Sequence, residues 1–377
     1  MSGTTQMLLL GVGGAGSAAA RKISMALPET ITCRTIDTDA MTAKDDAMTA
    51  KDDPNFLLIG GERLAGRGAG GNIVNARLAA EESTDILDSM LENVRLAIIV
   101  TALGGGTGGG ASLEIARHLK RNGIATVVFA TEPFKFEGPD RAKNAQTVAS
   151  MIEEEASASF FIPLDILVAD EDNMVAALDR AIDTLSSAVT LFWRLTSTPG
   201  YIKLDTERLR LIFSQAGRGR FAAFTAEGES RAEKIASTIP DSELLKQESP
   251  STPPRSILCG ILAGDDLRLN EIGTIADSVR KAFGEGATFE LATVNDEASF
   301  SGKISVIVML LDGNGKASPE STSGSAIASS RRNPKSRNVL SQGPLGRGRF
   351  NNAEPTVYNG EDLDIPTFIR RNINLDF

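Results

Sequence analysis

Between Thr101 and Ser112 the chain reads TALGGGTGGGAS, six glycines around one threonine, and few folds can use such a stretch. Before it, Leu96-Ala97-Ile98-Ile99-Val100 is the unbroken apolar run of a strand buried on both faces. After it, Leu113, Ile115, Ala116 and Leu119 recur at helical spacing. In the order strand, glycine loop, helix, a bare backbone can turn several N–H groups into one concavity at a helix N-terminus, where the partial positive charge favours phosphate. Thr107 adds a hydroxyl that can donate to phosphate or help hold a metal-bound water. A flexible linker is the alternative, but linkers do not usually join a buried strand to an amphipathic helix.

Two further glycine loops follow other strand patterns. Met7 to Gly11 runs into Gly11-Val12-Gly13-Gly14-Ala15-Gly16 and then a helical stretch, Ser17 to Met25. A second strand, Thr32 to Ile36, ends in Asp37-Thr38-Asp39. That is a complete G-x-G-x-x-G match in the right context, so an NAD-binding Rossmann oxidoreductase, with an acidic residue on a ribose, stays open over these first residues. Gly66-Arg67-Gly68-Ala69-Gly70-Gly71-Asn72 is the third loop, ahead of a helical pattern from Ile73 to about Met90. A single Rossmann site does not need three such loops, whereas a nucleotide lying across the carboxyl ends of a parallel sheet does. Between them AMTAKDD occurs twice in tandem, at 40–46 and 47–53, and reads as a duplication in a tolerant surface loop.

Composition removes other classes. A net charge of −10 argues against a dedicated nucleic-acid binder. No apolar run reaches membrane-spanning length, and no basic segment precedes Met7 to Leu10 as a leader would require. Cys33 and Cys259 make no ligand pattern and point to a reducing cytoplasm. With His118 as the single histidine, read as a solvated surface residue, His-based catalysis and His-rich metal sites are not expected.

The tract GGGTGGG resembles the signature of the tubulin/FtsZ family, in which GGGTGSG or GGGTGTG wraps the phosphates of a guanine nucleotide. Asp37-Thr38-Asp39 is similar to the family's Asn-Thr-Asp, and the loop at 66–72 to its GLGAGANPE, with Ile73-Val74 at the Pro-Glu positions. Thr131-Glu132-Pro133-Phe134-Lys135-Phe136-Glu137-Gly138-Pro139-Asp140-Arg141 resembles TKPFSFEGxxR. The resemblance implies phosphate binding by Gly13, Gly14, Ala15 and Gly16, by Gly68, Ala69, Gly70, Gly71 and Asn72, and by Gly104, Gly105, Gly106, Thr107, Gly108 and Gly109. It implies a ribose contact for Glu137 and a nucleotide contact for Arg141; without the upstream loops that segment reads as a turn with two buried phenylalanines and a surface ion pair.

In the long helix Glu171 to Thr196 the family holds the base with a phenylalanine and an asparagine or aspartate, and the matching positions here are Leu178 and Ile182. The neighbouring Asp183 can accept from guanine N1–H and its amine, which makes it the candidate for base selection beside a plain solvated aspartate. Pro199 to Arg208 resembles the synergy loop PGxxNxDxxD, which enters the next subunit's site and orients the attacking water. Lys203 replaces its asparagine and Arg208 its second acid, leaving Asp205 and Glu207 as catalytic candidates and slow hydrolysis as the expectation.

Later segments continue the resemblance. Ser256 to Ala263, Asn270 to Phe283, Thr288 to Asn295 and Lys303 to Leu311 give a β-α-β-β order, similar to the family's second domain. From about Asp312 to Gly360 the composition turns to Ser, Asn, Gly, Pro and Arg and is expected to be disordered. Asp362-Leu363-Asp364-Ile365-Pro366-Thr367-Phe368-Ile369-Arg370 closely resembles the tail LDIPxFLR, which docks on membrane-tethering division proteins.

The expected fold is therefore α/β: a parallel-sheet GTP-binding domain over 1–170, a central connecting helix over 171–198, and a smaller α+β domain with the synergy loop over 199–312. A disordered linker over 313–360 and a partner-binding peptide over 361–377 complete the layout. The resemblance implies GTP or GDP, Mg2+ held through phosphates and water, a head-to-tail homopolymer, and a cytoplasmic protein at the division site. An FtsZ-like scaffold with little or no GTPase activity is the runner-up, and the Rossmann oxidoreductase a minor one.

Overall fold

A computed structural model describes residues 6–27, 31–42, 55–168, 173–198, 200–204, 206–214, 216–247, 253–313, 357–358 and 361–362, with backbone only at Gln6, Thr206, Glu207, Arg210, Ser214, Val357, Tyr358, Glu361 and Asp362. The chain divides into two units, Met1–Ala317 and Ser318–Phe377. The second unit contains an antiparallel pairing of Val357–Tyr358 with Glu361–Asp362. Otherwise the expected linker, the tail peptide and most of the duplicated heptad lie outside the described residues.

The first unit is an α/β fold on one ten-stranded sheet, ordered β3-β2-β1-β4-β5-β6-β7-β10-β8-β9. Its strands are β1 Gln6–Val12, β2 Thr32–Asp37, β3 Phe56–Leu58, β4 Val94–Ala102, β5 Ala125–Glu132, β6 Ala158–Pro163, β7 Gly217–Glu227, β8 Ser256–Ala263, β9 Thr288–Asn295 and β10 Lys303–Leu311. Every neighbouring pair from β3 to β7 is parallel; β10 runs antiparallel to both β7 and β8. The sequence pattern announces no strand at β7, whose small residues and glycines hide it, yet it is the strip that carries the sheet onward to β10.

Eight helices matter to the argument: α1 Gly13–Ala26, α2 Ile73–Glu81, α3 Gly106–Arg121, α4 Pro139–Glu155, α5 Met174–Ser197, α6 Thr206–Ser214, α7 Arg231–Thr238 and α8 Leu269–Phe283. Strand side chains alternate between the two faces. Leu9, Ile98, Val100, Val127 and Phe129 pack under α1 and α5, while Leu8, Leu10, Ile99, Val128 and Ala130 pack under α3 and α4. Being buried on both sides explains the unbroken apolar runs. At the far end α7 and α8 cover one face with Ile235, Ile275 and Val279.

One expected element ends early, for a local reason. The helix from Ile73 stops at Glu81 because Ser83 turns its hydroxyl back to the Ala79 carbonyl at 2.8 Å and accepts from Gly60 N–H at 3.1 Å. β6 ends at Pro163, and the chain continues as a single helical turn, Leu164–Leu167. The long helix begins at Met174, where Asn173 Oδ1 accepts from Ala176 N–H at 2.9 Å. Among the described residues no helix is long and apolar enough to cross a membrane.

Candidate nucleotide-binding site

Strand order places the site. β1 and β4 are neighbours, but the chain leaves β1 for β2 on one side and β4 for β5 on the other, and a crevice opens where such a reversal occurs. Register aligns the strand ends there, with Val12 beside Thr101 and Thr101 beside Ala130. A cavity of about 650 Å3 occupies the position, floored by Val12, Thr101, Ala102 and Thr131.

Two helices begin on this cavity. α1 starts at Gly13 and α3 at Gly106; neither has a side-chain cap or an acidic residue in its first turn. Their leading N–H groups and dipole ends thus remain available to an anion. The starts meet closely: a side chain on Gly13, whose φ is +76°, would stand 3.0 Å from Gly108 N. At Gly108 a Cβ would fall 2.2 Å from the Ala102 carbonyl. Thr101, which the sequence pattern does not single out, ties the loops together, its hydroxyl within donating reach of the Val12 carbonyl at 3.1 Å and the Gly108 carbonyl at 2.9 Å. A Cβ added at Gly105 would meet no atom within 4 Å, so the backbone there faces open space.

Gly13, Gly14, Ala15, Gly105, Gly106, Thr107 and Gly108 line the cavity; Gly16, Gly104 and Gly109 do not. Gly16 is a packing glycine, since a Cβ would meet the Val100 carbonyl at 2.4 Å. The loop holding Gly68, Ala69, Gly70, Gly71 and Asn72 is not part of the cavity wall, but it abuts the start of α3: a side chain on Gly106 would be 2.9 Å from both Ala69 Cβ and Asn72 N. Asn72 caps α2 through Asn75 N–H at 3.1 Å.

Behind Thr107 lies Asp37, nearly fully buried. Its Oδ1 accepts from Thr38 N–H at 2.7 Å and Asp39 N–H at 3.2 Å, while Thr38 and Thr107 share a hydroxyl hydrogen bond of 2.6 Å. Burial pushes the Asp37 carboxyl above the usual carboxylate range, although the hydroxyls of Thr42 and Thr107 and the two N–H groups pull it down.

The cavity's other parts differ in chemistry. Glu137 accepts from Phe134 N–H at 2.9 Å and pairs with Arg141 one turn later; both line the wall. Of the two phenylalanines in that turn, Phe134 is buried and lines the cavity, while Phe136 stacks on it and is exposed. Met174, Leu178, Ala181, Ile182 and Leu185 of α5 form an apolar end facing Ala15 and Ala18 of α1. Asp183 is not there: it pairs with Lys22 at 2.5 Å on the solvent side. Shape and chemistry suit a nucleotide: bare amides and helix ends for phosphates, a carboxylate–guanidinium pair on the wall, and apolar walls for a base.

The remaining candidates lie elsewhere. After α5 the chain crosses to β9, where Thr293 N–H donates to the Ile202 carbonyl at 2.9 Å and a side chain on Gly200 would strike the Thr293 carbonyl. Lys203 is exposed there. Asp205 falls outside the described residues, as does the side chain of Glu207 at the start of α6. Arg208 is engaged by Glu290, its Nε 2.6 Å from Oε1. His118 is largely covered and bonds Asp88 at 2.7 Å rather than standing in solvent. Among the described residues no three His, Cys, Asp or Glu side chains gather as a metal site.

Known proteins share this arrangement. The profile of the tubulin/FtsZ family, GTPase domain, matches residues 6–169. The cell division protein FtsZ of Buchnera aphidicola subsp. Baizongia pistaciae is 31% identical over 291 residues, 76% of this chain and 74% of that protein. The empty FtsZ dimer of M. jannaschii superposes with a TM-score of 0.73 at 25% identity, over 81% of this chain and 88% of that one. The GTPgS-bound CetZ2 protofilament of Haloferax volcanii has the same fold, with a TM-score of 0.68 at 18% identity over 82% of this chain and 94% of that one. With strand order, glycine loops and relatives in agreement, the chain belongs to the tubulin/FtsZ family, and residues 6–169 are its GTPase domain.

Proposed function

We propose that this protein binds GTP and GDP, assembles head to tail into filaments in the cytoplasm at the site of bacterial cell division, and hydrolyses GTP slowly where subunits meet. The observation that carries the reading is the convergence of two uncapped helix starts, Gly13 and Gly106, on one cavity with an apolar far end. The phosphates would take the amides of Gly13 to Ala15 and Gly105 to Gly108, with Glu137 and Arg141 at the ribose. The loop at 68–72 sits against Gly106, close enough to respond to what binds there. Asp183 stands apart on the solvent side, which disfavours its assignment to the base.

Mg2+ fits as a guest of the phosphates and of water, with the Thr107 hydroxyl as the chain's contribution; bound there, it would neutralise charge on the phosphates. Asp205 and Glu207 would come from the neighbouring subunit to orient water, and membrane-tethering division proteins would take the tail peptide. Assembly draws support from the FtsZ dimer and the CetZ2 protofilament among the structural relatives. Slow hydrolysis draws support from Arg208, a cation held by Glu290 in place of an acid. A scaffold filament with negligible turnover is the second reading, favoured by that same pair.

Light scattering and phosphate release, followed together across a protein concentration series with GTP, test the proposal. Turnover per subunit is expected to rise where scattering rises. A flat rate through the assembly threshold would remove the shared site, and scattering without release would select the scaffold.

A further inference from the structure

Glu114 of α3 is only 4% exposed and takes no part in the cavity wall, lying about 12 Å further along the helix than Gly106. Three guanidiniums converge on its carboxylate. Arg117 Nη1 donates to Oε2 at 3.0 Å, Arg121 Nη1 stands 3.6 Å from Oε1, and Arg77 Nη1 of α2 stands 4.0 Å from Oε2. A buried ion pair adds little net stability, because desolvation offsets the attraction, but taking away one partner leaves charge uncompensated. What the group around Glu114 does fix is the seating of α2 on α3.

That seating runs the length of α2. A side chain on Gly110 would strike the Ile73 carbonyl, and one turn further along both helices Glu114 meets Arg77. One turn the other way, Gly106 lies against Ala69 and Asn72, so the loop at 68–72 is carried by α2 onto the start of α3. The loop reaches Thr107 by a second route. Gly68 N–H donates to the Thr38 carbonyl at 3.0 Å, and the Thr38 hydroxyl is bonded to that of Thr107 at 2.6 Å.

We infer that Glu114 is a positioning residue for anion binding at the start of α3: through Arg77 it holds α2, and through α2 it keeps the loop at 68–72 in register with Gly106 and Thr107. The inference rests on the nucleotide reading above. Without the carboxylate, three guanidiniums face one another, and the repulsion pushes α2 away from α3. The outer pairs remain, Glu81 on Arg77 and Glu155 on Arg117, so the helices stay folded while their register loosens.

Hydrogen exchange of the nucleotide-free full chain, together with equilibrium titration by GTP and GDP, tests this. In Glu114→Gln, exchange is expected to rise across 66–76 and to keep the wild-type rate in β8. Its Kd for GTP is expected to rise about fivefold or more, the lower end of coupling between distinct sites. Arg77→Gln leaves Glu114 paired with Arg117 and is expected to act in the same direction, which serves should the first variant fold poorly by circular dichroism. Arg77→Lys keeps the charge and is expected to bind GTP within about twofold of wild type. Val279→Ala, a buried truncation in α8, is the control for stability alone and is expected to lower the urea midpoint with no change in Kd. The inference is overturned if Glu114→Gln and Arg77→Gln bind GTP within about twofold of wild type, if Val279→Ala weakens GTP as much as they do, or if exchange across 66–76 is unchanged. Wild-type protein that binds neither GTP nor GDP would instead overturn the nucleotide reading, and with it the role given to Glu114, whatever the exchange shows.

Discussion

Gly105 and Gly108 sit three residues apart at the start of α3 and face opposite environments. At Gly108 an added methyl meets backbone, the Ala102 carbonyl at 2.2 Å and Thr101 Oγ1 at 3.0 Å, so β4 or α3 must move. Gly108→Ala is expected to cost about 1–3 kcal/mol in denaturant unfolding and to abolish triphosphate binding. At Gly105 the methyl enters open space with φ at −87°. Gly105→Ala is therefore expected to melt like wild type yet bind GTP more weakly, because only the approach of the phosphates is obstructed. Equal losses of stability in the two variants would refute this division.

Asp37 gives a second prediction at this scale. Its folded pKa lies above the unfolded value of about 3.9, so the native state holds the proton more tightly. The residue's contribution is most favourable below that unfolded value, declines as pH rises through the folded one, and is then constant. Asp37→Asn keeps an acceptor for the N–H groups of Thr38 and Asp39 and carries no charge. It is expected to be more stable than wild type near pH 7, with the gap closing toward pH 4 in urea titrations; a gap that widens on acidification would have the sign wrong.

At the scale of elements, the strand-and-loop repeats at 6–16 and 94–108 were legible because burial on both faces demands apolar runs and a loop at a strand end demands glycine. β7 was not, since its register against β10 rather than its own residues makes it a strand. The same strand brings Phe221 edge-on to Phe129 at 5.3 Å, and Phe160 stacks on Phe129 at 5.0 Å. These three rings join β5, β6 and β7 under α5. Phe129→Ala is expected to lose about 3–5 kcal/mol in chemical denaturation, because the surrounding strands hold the void open. A loss under about 1 kcal/mol would mean that the helix settles into the space.

For the whole molecule, α5 spans roughly 36 Å at 1.5 Å per residue, from the cavity to β9. Arg194 fastens its far end to Asp296 at 2.5 Å, and the following segment is pinned on Thr293. The position proposed to meet the next subunit is thereby held at the opposite end of the same helix. Arg208→Asp, combined with Glu290→Gln to avoid facing carboxylates, is expected to raise assembly-dependent GTP turnover by about tenfold or more. An unchanged rate with intact assembly would mean that Arg208 does not set the rate of hydrolysis.

What the sequence by itself determined was the family, the α/β class and the glycine loops at the strand ends, because these depend on local pattern: apolar runs, helical spacing, and glycine where no side chain fits. Only the tertiary structure decided which of those glycines face the cavity, that Asp37 lies buried behind Thr107, and that Asp183 turns to Lys22 while Ile182 meets the apolar slot. Each of these depends on the rotation of one helix or strand against another, and a one-residue step along α5 is enough to exchange a carboxylate for a methyl at the wall.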